Sequence, residues 1–450
     1  MPESTLTANQ AASPSPGAAA LFVVLTAHEP WAPSSRHMLT GVTRLEVQRG
    51  ARAVDRGRIL GLALPDRRLS SAHGRLRFDD ERWQVEDLGS KNGVLRNGVP
   101  VVGRAPLEDG DVIEMGGSFF VFRLRQVLAP GEPLDQAADA LPATVPGLAS
   151  LMPALARRFA ELARAAASDL PIEVCGETGT GKELVARAVH ALSGRRGQLT
   201  PVNCGALPRG LLESELFGFK KGSFSGALQD KPGLIAASHC GTLFLDEIAE
   251  LPLDGQAALL RVLQEREVLA IGATRPQPLD LRVVSATHRG LDAATASGEF
   301  RADLYTRLRG FRLVLPALRE RREDLGMIVK ALLDRQAPGQ PCMLSHAAAR
   351  ALFARTWPGN VRELERALQL ATVMADGDTL ELNDEPAPAV AAGPPPKLRP
   401  EDRERRDELE RLLREHRGNV ARVARSLGKA REQVHRWIKR AGLDPDNFRG

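Results

Sequence analysis

The stretch Gly176-Glu-Thr-Gly-Thr-Gly-Lys182-Glu183 restricts the fold of this chain more than any other. It follows an apolar run, Pro171-Ile-Glu-Val-Cys175, and opens a pattern in which Leu184, Val185, Ala188, Val189 and Leu192 share one helical face. Strand, glycine-rich turn and helix, in that order, are the setting of a phosphate-binding loop in an α/β core. Gly176, Gly179 and Gly181 let backbone N–H groups curl around phosphate oxygens, and the helix start adds partial positive charge. Glu177, Thr178 and Thr180 complete the cradle, and Lys182 reaches for the β- and γ-phosphates. The competing reading is a glycine turn ahead of a surface helix. Glu183 stands where Ser or Thr would ligate Mg²⁺, so a metal ion must be held from further downstream.

A second acidic signal supplies that ligand. Gly241-Thr-Leu-Phe-Leu-Asp246-Glu247 reads as a buried strand ending in two acids, Asp246 to hold Mg²⁺ and Glu247 to polarise an attacking water. Two acids after an apolar run are common by chance. Downstream of the glycine loop they point to ATP hydrolysis.

At 450 residues two to four domains are expected. Cys175, Cys204, Cys240 and Cys342 lack any paired spacing, which indicates neither a zinc site nor a disulfide framework and fits a reducing cytoplasm. The apolar run Ala18 to Leu25 is too short to cross a bilayer and has no basic leader, so neither a membrane span nor a signal peptide is expected. Residues 1–20 are rich in Ala, Ser and Pro and are expected to be disordered.

Residues 21–127 carry short strand signals separated by turns, with hairpin markers at Asn92-Gly93 and Asn97-Gly98. The segment resembles a forkhead-associated (FHA) domain through Leu69-Ser70-Ser-Ala-His73, Asp87-Leu-Gly-Ser90-Lys91-Asn92-Gly93 and Leu107-Glu-Asp-Gly110-Asp111. The resemblance implies an all-β sandwich that binds phosphothreonine peptides. Its phosphate and peptide-backbone contacts map to Arg49, Ser70 and Asn92, with Arg56 and Arg58 as alternatives to Arg49. An FHA-like sandwich that binds no phosphate is the other reading. Residues 128–146, with Pro130, Pro133, Pro142 and Pro146, read as a linker.

From 147 to 382 the chain resembles the AAA+ activators of sigma-54 RNA polymerase, an α/β domain with a helical lid at about 316–382. The resemblance rests on Val202-Asn203-Cys-Gly-Ala-Leu207, Leu212-Glu-Ser-Glu-Leu-Phe217-Gly218 and Leu259-Leu-Arg-Val-Leu-Gln264. It continues in Phe300-Arg301-Ala-Asp-Leu-Tyr305-Thr-Arg307-Leu308, Leu318-Arg-Glu-Arg321 and Trp357-Pro-Gly-Asn-Val-Arg362-Glu-Leu364. Glu183 is usual in that family. Gly222-Ser223-Phe224-Ser225-Gly226-Ala227 resembles the family's GAFTGA loop, which couples hydrolysis to the sigma factor; Ser223 replaces Ala and Ser225 replaces Thr. The resemblance further implies Asn203 as a switch that touches the catalytic glutamate when the nucleotide changes, Thr287 and His288 at the sensor position, and Arg362 as a second sensor in the lid. Arg301 and Arg307 correspond to arginine fingers aimed at a neighbouring subunit's nucleotide. On one continuous helix they would lie about 120° apart, so the helix must break between them if both serve one phosphate.

Residues 383–400, with six prolines, read as a second linker. The tail 401–450 resembles a Fis-type helix-turn-helix: Asn419 to Gly428, then Ala430 to Ile438. Eight Lys/Arg against one acid lie between Arg417 and Leu443, a local excess behind the modest net charge of +5. Val434, Trp437, Ile438 and Ala441 share a buried face. That leaves Arg431, Glu432, Gln433 and Arg436 to read bases and Lys439 and Arg440 to meet phosphates. A plain three-helix bundle with a basic face is the alternative.

Taken together, these features imply a cytoplasmic, hexameric, ATP- and Mg²⁺-dependent activator of sigma-54 RNA polymerase holoenzyme. It would bind double-stranded DNA upstream of promoters and answer to a phosphothreonine protein or a Ser/Thr kinase, in a two-component-like manner and without a membrane. Two other readings stay open: an AAA+ remodelling machine with another target, and a phosphopeptide-responsive DNA-binding regulator with a vestigial ATPase.

Overall fold

The computed structural model describes residues 17–142, 144–145, 147–206, 210–224, 227–339, 342–382, 411–413, 415–416, 420–427, 433–434 and 437. The chain divides into two units, 1–383 and 384–450.

The first unit begins with a β-sandwich. One sheet orders its strands Asp135–Ala137, Ser35–Met38, Ala18–Thr26, Ser118–Gln126, Val112–Met115, Val94–Arg96 and Val99–Pro100. The other runs Arg104–Pro106, Arg82–Asp87, Gly74–Asp79, Arg44–Arg49, Ile59–Leu64 and Ala53–Arg56. Period-two alternation puts Leu45, Val47, Leu60 and Leu62 inward against Leu21, Val23, Phe120 and Phe122 of the facing sheet. Asn97-Gly98 forms a hairpin turn, both residues at positive φ (51° and 79°). Asn92-Gly93 does not; it lies in the loop after Arg82–Asp87, where the Asn92 amide donates to the Arg68 carbonyl at 2.6 Å.

Two segments differ from the sequence expectation. The strand Ala18–Thr26 begins inside the stretch read as disordered; the reading for residues 1–16 lies outside the described residues. The stretch 128–146, read as a linker, adds the edge strand Asp135–Ala137, in register with Ser35–Met38. Asp135 explains this: His37 Nδ1 reaches its carboxylate at 2.8 Å and Arg56 Nη2 at 2.6 Å, and against the cost of burial these contacts hold its pKa well below the usual range. Arg56, the alternative to Arg49, is thus paired with Asp135 in this structure.

The central α/β domain carries a five-stranded parallel sheet ordered Leu199–Asn203, Thr242–Asp246, Arg282–Thr287, Ile172–Cys175, Phe311–Val314. Apolar layers cover both faces, so the central strands are buried along their whole length. Arg282, in one of them, is buried, and its two terminal nitrogens donate to the carbonyls of Ala165, Ala166 and Leu170, closing the end of the helix Pro153–Ala166. Loops at the carboxyl ends of such strands form the natural ligand crevice.

The lid contains the helices Leu325–Gln336, His346–Ala354 and Asn360–Val373. Its core is shared with the sandwich. Ala20, Phe22, Val24, Phe119 and Val121, the outward positions of two sandwich strands, join Leu325, Val329, Leu332, Leu352 and Phe353 in one apolar cluster. Phe119 stacks on Phe353 with centroids 5.1 Å apart. Glu114 receives His346 Nε2 at 2.6 Å and Arg350 Nε at 2.7 Å, and Trp31 Nε1 donates to Asp334 at 2.7 Å.

In the second unit, the helix Val420–Ser426 and the residues Leu412, Leu413, Val423, Ala424 and Val434 form a small core, with Trp437 packed against it. Arg431, Glu432, Arg436, Lys439 and Arg440 lie outside the described residues, as do the stretch 383–400, Ser225 and Gly226; Gln433 falls in a helical position.

Candidate functional site

The strand Ile172–Cys175 delivers the chain to the crevice and the helix Lys182–Leu192 carries it away. The turn between them needs glycine at Gly179 and Gly181, where φ is 80° and 105°. Gly179 has a second reason: a Cβ there would stand 2.2 Å from the Gly359 carbonyl of the lid. Thr180 Oγ1 donates to the Glu177 carbonyl at 2.8 Å and braces the loop. Lys182, at the first helical position, is 7% exposed and its Nζ lies 3.1 Å from the Gly176 carbonyl and 3.5 Å from Glu247 Oε1.

Asp246 ends the strand Thr242–Asp246, and Glu247 follows in a left-handed conformation, φ 52°. That conformation is uncommon outside glycine and turns the Glu247 carboxylate toward the neighbouring strand end. There His288 Nδ1 meets Glu247 Oε2 at 2.5 Å. Burial raises the Glu247 pKa, but the His288 hydrogen bond and the Lys182 charge outweigh it and leave the carboxyl below its usual range. For Asp246 burial and the Glu247 charge prevail over Lys182 and Arg362, and its pKa rises. The two acids are thus driven apart, one toward a ready base and the other toward a site short of positive charge.

Asn203 ends the strand beside Asp246, but its Oδ1 accepts from Gly205 N and Ala206 N, each at 3.0 Å, and caps its own turn. His288, not Asn203, holds Glu247. Thr287 is buried and its hydroxyl donates to the Arg289 carbonyl at 2.7 Å. Arg301 is the residue before the helix Ala302–Leu308 and pairs with Asp303 at 2.7 Å, whereas Arg307 lies within that helix and donates to the Leu263 carbonyl at 2.8 Å. The helix therefore starts between them. Glu183 is on the surface, paired with Arg187 one turn on at 2.6 Å.

The lid contributes more than Arg362, whose backbone N donates to the Gly179 carbonyl at 3.3 Å. Asn360, fully buried, donates to Glu177 Oε2 at 3.1 Å and to the Thr178 carbonyl at 3.0 Å. Arg319 grips Glu177 with both terminal nitrogens, and Arg321 donates to the Thr180 carbonyl at 2.9 Å. Hydrogen bonds from Arg319 and Asn360 pull the Glu177 pKa down to about 2. Four lid residues thus hold the phosphate loop, three of them without an assigned role from sequence. Their only signal was a position in two of the stretches quoted above, beside Leu318 and Arg362.

Phe224 follows the short strand Gly218–Phe219. Gly222 N donates to the Ala227 carbonyl at 2.9 Å, and Ser223 Oγ to the Lys220 carbonyl at 2.7 Å. Phe224 is 45% exposed and meets Phe219 edge-on at 4.9 Å. In the sandwich, Arg49 N donates to the Ser70 carbonyl at 2.9 Å and Lys91 N to Ser70 Oγ at 3.2 Å. Arg49, at the end of the strand Arg44–Arg49, and the loops of Ser70 and Asn92 are therefore joined at one end of the sandwich.

Comparison with known proteins accords with this geometry. Residues 148–314 match the sigma-54 interaction domain, 319–397 the AAA+ ATPase lid domain and 56–116 the FHA domain. The acetoin catabolism regulatory protein of Cupriavidus necator is 43% identical over 344 residues, covering 72% of this chain and 51% of that protein. The response regulator protein PilR of Pseudomonas aeruginosa is 40% identical over 307 residues, 65% of this chain and 68% of that protein. Among solved structures, NtrX from Brucella abortus in complex with ATP is 30% identical with a TM-score of 0.49, covering 68% of this chain and 71% of that one. The chain spans about half the length of the first curated relatives it matches.

Proposed function

The chain belongs to the family built on the sigma-54 interaction domain, and from that membership we propose that it is an ATP-driven activator of sigma-54 RNA polymerase. The observation that carries the reading is the meeting of Lys182, Asp246 and Glu247 at the carboxyl ends of Ile172–Cys175 and Thr242–Asp246, parallel strands on either side of Arg282–Thr287, under a lid bonded to the loop.

Lys182 exchanges its contacts with loop carbonyls for the nucleotide's terminal phosphates. Glu247, ionised at neutral pH and held on one oxygen by His288, accepts a proton from water. Asp246 fits a Mg²⁺ ion: its raised pKa marks a half-buried carboxylate in need of positive charge. The ion would neutralise charge on the β- and γ-phosphates. Arg301 and Arg307 leave their present partners to reach a neighbouring subunit's nucleotide in a hexamer. The loop Gly222–Ala227 presents Phe224 to the sigma factor. Arg49, Ser70 and Asn92 bind a phosphothreonine protein, and the basic tail holds upstream duplex DNA, in a cytoplasmic setting.

Purified chain, sigma-54 holoenzyme and a supercoiled promoter template test this directly. ATP-dependent open complexes are expected; ATP turnover with no open complexes at any concentration of the chain would refute the sigma-54 assignment.

A further inference from the structure

Unpaired positive charge gathers around Ser70, beyond the isolated exposed arginines Arg58, Arg82 and Arg125 elsewhere in the sandwich. Arg75, Arg77, Arg96, Arg104 and Arg123 each lie within 3.0 Å of a carboxylate. Arg49, Arg67, Arg68 and Lys91 are exposed, and none makes an ion pair among the described residues. The fold gathers these four. Arg49 is in register with Leu64 at the ends of parallel strands, so the loop 65–73 leaves from beside it. The Arg68 carbonyl holds the Asn92 amide at 2.6 Å, and Lys91 N holds the Ser70 hydroxyl at 3.2 Å. The nearby acids are committed inward. Asp66 is buried and accepts from Gly117 N, Ser118 Oγ and Arg68 N, and Asp87 accepts from Ser90 N.

One phosphate needs one charged fork and a few donors. Four unpaired cations on one strand end and two converging loops exceed that requirement and repel one another until an anion arrives. We propose that this face takes a phosphothreonine peptide bearing further negative charge next to the phosphothreonine, as carboxylates or a second phosphate. Arg67, Arg68 and Lys91 select that charge while Arg49, Ser70 and Asn92 hold the phosphothreonine. This rests on the phosphopeptide reading of the sandwich. The Ser70 hydroxyl and Asn92 amide, fixed by neighbouring loops, favour a peptide over a nucleic acid, whose phosphates would need charge alone.

The test titrates the full-length chain, by fluorescence anisotropy, with one labelled peptide in five forms. These carry Thr or phosphothreonine with neutral or Asp-rich flanks, plus a doubly phosphorylated neutral form. The acidic phosphopeptide is expected to bind about tenfold tighter than the neutral one at 0.1 M salt, equivalent to 1.4 kcal/mol. The gap should shrink at 1 M, where the Debye length falls to about 3 Å. Arg67→Ala with Arg68→Ala should close it, and the doubly phosphorylated form separates phosphate from carboxylate as the preferred charge. Equal affinity for neutral and acidic phosphopeptides, or a double variant that weakens both alike, overturns the selection while leaving phosphothreonine binding standing. Equal binding of the acidic peptide with and without phosphate, or no binding of any form, overturns the phosphopeptide reading itself. Displacement of the bound peptide by duplex DNA would make the face a nucleic-acid surface and end the proposal.

Discussion

At the scale of single residues, the decisive geometry is that of Glu247. Its left-handed backbone and the His288 contact fix one carboxylate oxygen and leave the other beside Lys182. Once Lys182 engages phosphate, that second oxygen is free for water. Glu247→Gln should therefore bind ATP normally and hydrolyse it at least about a hundredfold slower, the scale of lost general-base help. Phosphate release and nucleotide binding measured on the same preparation check this; turnover near the parent's would remove Glu247 from the role. The residues of this site were unequally legible. Lys182, Asp246 and Glu247 announce themselves because each sits beside a local pattern of glycine loop or apolar strand. Asn360, Arg319 and Arg321 serve the same loop, yet more than 140 residues separate Arg319 from its partner Glu177, and no local pattern encodes such a contact. Asn203 was readable by its place beside Asp246, but the partners its side chain takes here, the backbone donors of Gly205 and Ala206, were not.

At the scale of elements, the segment that carries Phe224 is stitched at its base by contacts of Lys220 and Lys221. Lys220 binds Asp230 at 2.7 Å, Lys221 N donates to the same side chain at 2.8 Å, and Phe219 supports Phe224. None of these contacts reaches the phosphate loop. Phe224→Ala should keep ATP hydrolysis within about twofold and lose open-complex formation, since a surface truncation away from the site changes stability little. ATPase and permanganate footprinting on one template would show it; parallel loss of both activities would make the loop part of the motor. The strand Ala18–Thr26 teaches a different lesson at this scale. Its unbroken apolar run looks like a failed membrane segment, yet it is a strand buried on both faces, Leu21 and Val23 in the sandwich core and Phe22 and Val24 in the lid core. Sequence alone could not name the second cover, because the lid lies some 300 residues on. The seam also tolerates no side chain at Gly326, where a Cβ would stand 1.8 Å from the Val24 carbonyl. Gly326→Ala should cost about 1–3 kcal/mol of stability through overpacking, visible as a lower urea midpoint.

At the scale of the first unit, sandwich and lid have one core between them, so they should unfold as one body. Glu114 provides the means to test this by pH. It lies on a sandwich strand, only 6% of its side chain exposed, and its partners His346 and Arg350 lie on a lid helix. Burial raises its pKa, but the His346 and Arg350 hydrogen bonds and charges overcome this and bring it from 4.5 down to about 2. A carboxyl depressed by folding stabilises the folded state above its unfolded pKa, and that stability fades as pH falls through the folded value. The contribution is thus full above pH 4.5 and lost on the way to 2. Glu114→Gln should be less stable than the parent by about 2–3 kcal/mol at pH 7, a figure that allows for water around the half-exposed Arg350. The deficit should hold from pH 7 to pH 5 and shrink below about 4, as the parent's own carboxylate takes up its proton. Urea unfolding followed by the fluorescence of Trp83 in the sandwich and Trp357 in the lid reads both halves, with single-Trp versions of the chain separating the two signals. Both midpoints should move together in Glu114→Gln. A shift confined to Trp83, with the lid signal unmoved, would mean that the sandwich unfolds on its own and that the shared apolar cluster does not bind it to the lid.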